Sequence, residues 1–170
     1  MTDPIFVLGG AQTDFARNWS REGATPFELI GAAIDGALED AVVSAADVQV
    51  ANVGNFVAEL FCGQGHLGGM VASARPELDG IPTARHEAAC ASGSVAALAA
   101  MADLEAGRYD VALVVGVEQM RNVSGRIGAE HLGRRRGPGA RGRMPPSCGR
   151  TCSPASPTST RNATVWTTRT

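Results

Sequence analysis

Apolar positions along most of this chain follow strand and helix periods in alternation. Ile5–Leu8 is a short apolar run closed by Gly9-Gly10, which predicts a buried strand that ends in a turn. Val111–Val115 is fully apolar, which is typical of a central strand buried on both faces. Between these runs, Ser92–Ala106 carries Val, Leu and Met among alanines and stops at Gly107, which predicts a helix.

A second helix is signalled at its start. Thr25-Pro26 predicts that start, with Thr25 as the N-cap and Glu28 near the positive end of the helix dipole. Apolar residues at spacings of three and four then give the helix one apolar face, which consists of Phe27, Ile30, Ile34, Leu38 and Ala41. Ser44 and Asp47 mark a weaker second start.

Strand-like composition returns at residues 48–57, although Ala and Asn interrupt the alternation. Four glycines at 63–69 make the next stretch flexible or tightly packed, and residues 81–87 lead as an extended segment into Ala88-Ala89-Cys90. Strand, helix and strand thus alternate, and this order predicts an α/β layered sheet.

Charge divides the chain in two, although the formal net charge is only −2. All 17 acidic residues lie at or before Glu130, whereas residues 134–170 hold eight Arg and no Asp or Glu. That tail is rich in Pro, Ser and Thr, and its few apolar residues show no helical or strand period. We therefore predict a domain over residues 1–133 and a low-order tail over 134–170 that builds no core.

Signals for export or membrane insertion are not visible. The amino terminus lacks a basic region, and Ile5–Leu8 is too short to be a signal core or a membrane span. The four Cys, at 62, 90, 148 and 152, are scattered and do not form a disulfide framework. These features predict a reducing, cytoplasmic setting.

Cys90 lies between an extended segment and the start of the predicted helix at Ser92. At such a position, unpaired N–H groups and the helix dipole stabilise a thiolate. The same N–H groups can hold the oxyanion that forms when a thioester carbonyl is attacked, and Gly93 lets a ligand or another segment come close. The alternative is that a Cys among alanines is a small buried hydrophobe.

Two segments resemble the thiolase family. Ala88-Ala89-Cys90-Ala91-Ser92-Gly93 is similar to the nucleophile motif of thiolases, and residues 115–120 (Val-Gly-Val-Glu-Gln-Met) resemble the family's Gly-Gly-x-Glu-x-Met signature. Val115 replaces the first of those glycines. The resemblance runs from about Ile5 to Gly133 and looks closest to the sterol-carrier-type thiolases of lipid and steroid side-chain breakdown. It implies a thiolase-like layered α/β/α domain that is incomplete in this chain.

The resemblance implies that Cys90 is the nucleophile of a two-step acyl transfer. Its thiolate would accept an acyl group from a coenzyme A thioester, with a backbone N–H as oxyanion donor, and pass the group on in 3-ketoacyl-CoA thiolysis or acetyl-CoA condensation. Coenzyme A is then substrate and product, with no bound cofactor. A homo-oligomer, a dimer or tetramer, is also implied for the full-length enzyme.

The remaining parts of a thiolase site are not recognisable in this sequence. The family uses an activating His, a second Cys and a loop domain for CoA, all further along the chain. We interpret His66 and His86 as structural, His131 as a surface or boundary residue and Cys62 as buried and inert. The alternatives are a truncated, inactive fragment, or a condensing enzyme that acts on carrier-protein thioesters, although residues 116–120 favour a thiolase.

The Arg-rich tail departs abruptly from the resemblance. A one-base shift near Gly133 recovers acids, aromatics and a helix-like pattern, so we interpret residues 134–170 as a frameshift product. Eight Arg could instead bind nucleic acid, but no aromatic platform or recognised motif accompanies them, so we predict no nucleic-acid partner. Cys148 and Cys152 could be half a metal site, but nothing completes it, so we predict no metal.

Overall fold

Five strands form one mixed sheet in the computed structural model of this chain, which describes residues 4–133 and 163–167. The strands are β1 (Phe6–Ala11), β2 (Val50–Gly54), β3 (Thr83–His86), β4 (Val111–Gly116) and β5 (Ala163–Thr167), in the order β1-β5-β4-β2-β3 across the sheet. β2 pairs in parallel with β3 and β4, whereas β5 pairs antiparallel with β4 and β1. The carboxyl ends of β2, β3 and β4 therefore meet at one edge.

Helices cover both faces of this sheet. They are α1 (Pro26–Ala41), α2 (Ala58–Cys62), α3 (Met70–Ala74), α4 (Ser92–Glu105) and α5 (Gly125–Gly133), with single 3₁₀ turns at Ala45–Asp47, Pro76–Leu78 and Ala89–Ala91. α1 and α3 pack on one face, and α4 packs on the other. The predicted α/β/α layering is confirmed.

Two apolar clusters lie between these layers. The larger one joins Ile30 and Ile34 of α1 to Val53 of β2 and Leu113 of β4, all fully buried. The smaller cluster sets the small residues of α4 against the opposite face of the sheet, and its buried members are Val50, Ala96, Ala100, Leu104, Ala112 and Val114. Because Ala96 and Ala100 are small, α4 can lie close to the strands.

The strongest predicted elements are confirmed. α1 begins at Pro26 with Thr25 as its N-cap, and Thr25 and Glu28 form a reciprocal capping box. α4 begins at Ser92, and residues 112–115 of β4 are buried as expected for a central strand. Ser44 caps only the short 3₁₀ turn at Ala45–Asp47, in keeping with its weaker signal.

β1 differs from the prediction of a buried strand that ends at the glycine pair. The strand continues through Gly9 and Gly10, and Val7 and Leu8 are 48% and 40% exposed. Gly9 is the buried position, because a Cβ there would lie 2.5 Å from the backbone nitrogen of Ala41. The glycine is needed for a close approach of α1 to the strand, so it did not mark a turn.

The tail also differs from its prediction where the structure describes it. Residues 163–167 form β5 between β1 and β4, with Val165 and Thr167 buried. Both neighbours offer backbone N–H and C=O groups, and a short Val-Trp-Thr segment can pair with them without any periodic pattern of its own. The prediction that 134–170 adds nothing to the core is therefore wrong for β5, and residues 134–162 and 168–170 lie outside the described part.

Candidate active site at the start of helix α4

Cys90 lies in the 3₁₀ turn Ala89–Ala91, between the carboxyl end of β3 and the first residue of α4. Its side chain is exposed and lines a cavity of about 610 Å³. The alternative that this Cys is a small buried hydrophobe is therefore wrong. Ala91, the N-cap residue of α4, makes no side-chain hydrogen bond to the helix. The first-turn amides of α4 thus receive no acceptor from the cap residue and suit an anion.

The turn that presents Cys90 is held by side chains on either side of it. Ala89 adopts the left-handed backbone conformation, with φ of 50°. The Ser92 hydroxyl accepts the backbone N–H of Ala88 at 3.0 Å and donates to the carbonyl of Ala89 at 2.7 Å. The Glu87 carboxylate accepts the N–H of Ala89 at 2.6 Å. All three hydrogen bonds join residues between 87 and 92, the segment that contains the thiol.

A glycine in β2 brings the sheet against the start of α4. A Cβ on Gly54 would lie 2.7 Å from Gly93 Cα and 2.9 Å from Ser92 C, closer than real Cβ contacts allow. A Cβ on Gly93 would meet nothing within 4 Å, and Gly93 lines the cavity. The predicted close approach therefore exists, but Gly54 is the residue that permits it, and the open side of Gly93 faces the cavity.

The cavity beside Cys90 is mostly apolar. Its lining comes from the segment 13–20, from the first turns of α4 and from residues 114–121 at the end of β4. Phe15, Trp19 and Phe56 supply aromatic surface, and Met120 comes from the segment that resembles the second family signature. Such a lining suits an acyl chain or another apolar group next to the sulfur.

Glu118 links the end of β4 to the turn after β2. Its carboxylate accepts the N–H of Phe56 at 2.9 Å and the side-chain amide of Asn55 at 3.2 Å. Burial by the surrounding backbone raises the pKa of Glu118 above its ordinary value, although these hydrogen bonds and Arg85 act in the opposite direction. The residue as a whole keeps contact with solvent, and its carboxylate is held by the turn after β2.

Gln119 lines the cavity, and Cys62, which does not line it, lies against Gln119. The Gln119 amide donates to the carbonyl of Ala24 at 2.8 Å and to the hydroxyl of Ser20 at 3.1 Å, which ties the 13–24 segment to the end of β4. Cys62 is half-buried, with its sulfur 3.6 Å from the Gln119 carbonyl. Burial, together with the nearby Glu118, raises the pKa of the Cys62 thiol, which is therefore protonated at neutral pH.

None of the three histidines lines the cavity beside Cys90. His86 Nε2 donates to the side-chain oxygen of Asn52 at 2.7 Å, between β3 and β2. His131, in α5, meets the ring of Phe61 edge-on with centroids 5.1 Å apart. His66 is exposed and has a left-handed backbone. The structural role of these histidines stays a prediction, and among the described residues the cavity lining includes no imidazole.

Sequence reasoning missed the residues that shape the site around Cys90. The sequence patterns place Ser92 at a helix start, Glu87 at the end of an extended segment and Gly54 in a strand-like stretch, and none of these patterns indicates support for the thiol. A hydroxyl two residues after the Cys, at a helix start, was the available signal for Ser92. Gly54 gave no signal, because its partner Gly93 is distant in sequence.

Together, the fold and the site define a layered α/β protein that presents an exposed Cys at a helix start, beside a mostly apolar cavity at the carboxyl edge of its parallel strands. The thiolase amino-terminal domain model matches residues 5–138. This match spans most of the chain, and the chain therefore belongs to the thiolase family.

Individual relatives agree with this assignment. The chain is 40% identical over 119 residues to the acetyl-CoA acetyltransferase of Methanocaldococcus jannaschii, a match that covers 70% of this chain and 29% of that protein. It is 31% identical over 116 residues to non-specific lipid-transfer protein-like 2 of Caenorhabditis elegans, covering 68% of this chain and 27% of that protein. The chain thus spans less than a third of the length of these relatives.

A solved thiolase shares the fold. The crystal structure of the Acat5 thiolase from Ascaris suum in complex with coenzyme A superposes with a TM-score of 0.62 at 14% identity, covering 72% of this chain and 31% of that one. At this identity the likeness concerns the fold alone. In the described part of the chain, no helix is long and apolar enough to cross a membrane.

Proposed function

We propose that this chain carries the nucleophile of a thiolase-type acyltransferase, and that Cys90 is the acyl-accepting residue. The observation that carries the proposal is the exposed Cys90 in the turn before α4, beside a mostly apolar cavity. Membership of the family supports it, as do relatives named acetyl-CoA acetyltransferase.

In the proposed chemistry, the Cys90 thiolate adds to the carbonyl carbon of an acyl-CoA thioester. The carbonyl oxygen becomes an oxyanion, which backbone N–H groups at the start of α4 can stabilise. In condensation the intermediate expels the CoA thiolate and leaves an acyl-cysteine, and an acetyl-CoA enolate then forms a C–C bond to the acyl carbon and releases the Cys90 thiolate. In thiolysis the Cys90 thiolate adds instead to the 3-keto carbon of a 3-ketoacyl-CoA, and the C2–C3 bond breaks to leave the acyl-cysteine and acetyl-CoA as an enolate, which takes up a proton. A CoA thiolate then collects the acyl group and frees Cys90.

Coenzyme A enters this proposal as substrate and product. The support is the coenzyme A complex of the Ascaris suum thiolase, whose fold this chain shares. We also propose a role in lipid or steroid side-chain metabolism, which the relative named for lipid transfer supports. The enzyme would assemble as a homo-oligomer and act in the cytoplasm, where thiols stay reduced.

The test is the alkylation rate of each Cys with iodoacetamide, followed by peptide mass mapping of the whole chain. We expect Cys90 to react faster in the folded chain than in the same chain unfolded in urea, because the proposed role requires a nucleophilic sulfur that the folded site presents to the cavity. Exposure alone would make the folded rate at most equal to the unfolded rate. Cys62 serves as the control, since its half-buried, protonated thiol should react more slowly when folded.

A second measurement addresses the covalent intermediate. The wild-type chain is incubated with acetyl-CoA, and the peptide that contains residue 90 is searched for an acetyl group. The Cys90→Ser chain is the control. A Cys90 that reacts no faster when folded would refute the assignment of the nucleophile, and so would an acetyl group on another residue of that peptide in the Cys90→Ser chain.

A further inference from the structure

The turn before α4 has an unfavourable backbone that its neighbours hold in place. The left-handed backbone conformation is less favourable for alanine than the ordinary helical or extended conformation. Such a conformation persists only where the surroundings determine it, and it clusters at functional sites. Ala89, next to Cys90, is in this state with φ of 50°.

Ser92 is the buried side chain that closes this turn. Its residue is 5% exposed, and its hydroxyl uses both its donor and an acceptor within residues 88–92. The bond from Ala88 N and the bond to Ala89 O lie on either side of the Ala88–Ala89 peptide junction. The hydroxyl therefore defines the direction in which the chain leaves Ala89 and enters Cys90.

Glu87 supports the same turn from the solvent side. Its carboxylate accepts the Ala89 N–H at 2.6 Å, and the residue is exposed. A hydrogen bond that competes with water contributes less than the buried pair made by Ser92. Gly54 of β2 supports the turn from the side of the sheet, because the absence of a Cβ lets the sheet contact the backbone of Ser92 and Gly93.

We propose that Ser92 is a positioning residue for the acyl transfer, with Glu87 as a weaker second one, because their hydrogen bonds hold the Ala89 turn that directs the Cys90 sulfur into the cavity. Neither side chain forms or breaks a bond in the reaction. This inference rests on the proposed function of Cys90. A purely structural serine at a helix start would lower stability when removed and leave the reactivity of the folded thiol unchanged.

The test compares the Ser92→Ala chain with the matched Ser44→Ala chain. Ser44 also bonds the backbone from a helix start, at the 3₁₀ turn Ala45–Asp47, but lies outside the cavity lining. In Ser92→Ala we expect the Cys90 alkylation rate in the folded chain to fall about tenfold, as for other lost supporting contacts. Cys62 alkylation in the same molecules should stay unchanged. Ser44→Ala should lose stability in urea without altering the Cys90 rate or its pH profile.

Glu87→Ala provides the second variant, because an exposed side chain can be removed without disturbing folding. It should lower the Cys90 rate in the same direction by a smaller factor, whereas Glu105→Ala, at the other end of α4, should not. An unchanged Cys90 rate in Ser92→Ala and in Glu87→Ala would overturn the inference. A fall in the Cys90 rate that is accompanied by faster labelling of Cys62 would also overturn the inference, because faster labelling of Cys62 reports unfolding of the variant. A wild-type Cys90 that reacts no faster folded than unfolded would refute the proposed nucleophile itself.

Discussion

At the scale of single residues, the pKa values of two carboxylates of this chain are shifted in opposite directions. Desolvation is the largest influence on Glu118 and raises its pKa. Hydrogen bonds from Thr25 are the largest influence on Glu28 and lower its pKa, as expected for a carboxylate in a capping box. The ordinary pKa of both carboxyl groups is 4.5.

The sign of the pH dependence follows for Glu118. As the pH rises through 4.5, the unfolded chain loses the Glu118 proton before the folded chain does. Stability from this group is therefore complete below the unfolded pKa and declines as the pH rises through the higher folded pKa. Glu118→Gln cannot ionise, so we expect its unfolding free energy to gain on the wild type as the pH rises from acidic to neutral. Urea unfolding at several pH values measures this difference.

Glu28→Gln is the control with the opposite sign. The folded Glu28 has the lower pKa, so its contribution is present above the unfolded pKa and is lost as the pH falls through the folded pKa. The wild type should therefore gain on Glu28→Gln as the pH rises. Two variants with the same pH trend would show that the enclosure of the Glu118 carboxylate does not govern its ionisation.

At the scale of elements, the site depends on how closely β2 and α4 approach each other. The contact is backbone against backbone, since Gly54 has no Cβ and Gly93 Cα lies where that Cβ would be. The alanines at 96 and 100 continue the close packing along α4. The start of α4, and with it the Cys90 turn, is therefore located by the sheet.

Gly54→Ala tests this dependence on close packing. A Cβ would lie 2.7 Å from Gly93 Cα, so β2 and α4 must separate, and we expect a loss of about 1–3 kcal/mol in unfolding free energy. The Cys90 alkylation rate should fall as well, because the turn moves with α4. The urea midpoint and peptide mapping give the two measurements.

Gly65→Ala is the matched control for that substitution. A Cβ on Gly65 would meet nothing within 4 Å, so the midpoint and the Cys90 rate should stay close to wild type. Equal behaviour of the two alanine variants would contradict a tight contact between β2 and α4.

At the scale of the whole molecule, the chain spans 29% of the length of the Methanocaldococcus jannaschii relative. Neither a histidine nor a second cysteine lines the Cys90 cavity in the described part of the chain. By resemblance, thiolases take their activating His and second Cys from further along the sequence. On the proposed function, turnover therefore requires an imidazole and a second thiol from outside the cavity lining of the described residues.

The corresponding prediction concerns the 170-residue chain itself. It should be alkylated at Cys90, and its thiolysis of acetoacetyl-CoA should not exceed that of the Cys90→Ser chain. Spectroscopic loss of acetoacetyl-CoA measures the rate, and the Methanocaldococcus jannaschii relative serves as a comparison under the same conditions. Turnover above the Cys90→Ser background would show that the chain contains a complete site.

Sequence patterns were reliable where local physics decides the structure. The capping box at Thr25, the helix from Ser92 and the buried run at Val111–Val115 each depend on neighbouring residues, and each is confirmed. They were unreliable where a distant segment decides. Gly9 is buried against α1, and β5 lies between β1 and β4, a position that the composition of β5 does not indicate. The frameshift origin of residues 134–170 stays a prediction, which resequencing near codon 133 would test.

The amino-acid sequence by itself determined the layered class of the protein, its family and the placement of Cys90 before a helix, because periodicity, caps and short motifs act over a few residues. Only the tertiary structure decided that the thiol faces a cavity and that Gly54 of β2 lies against the start of α4. The bonds of Ser92 and Glu87 are local to residues 87–92. The cavity and the Gly54 contact instead join segments that sheet pairing and close packing bring together, and no local pattern of residues encodes the distances between them.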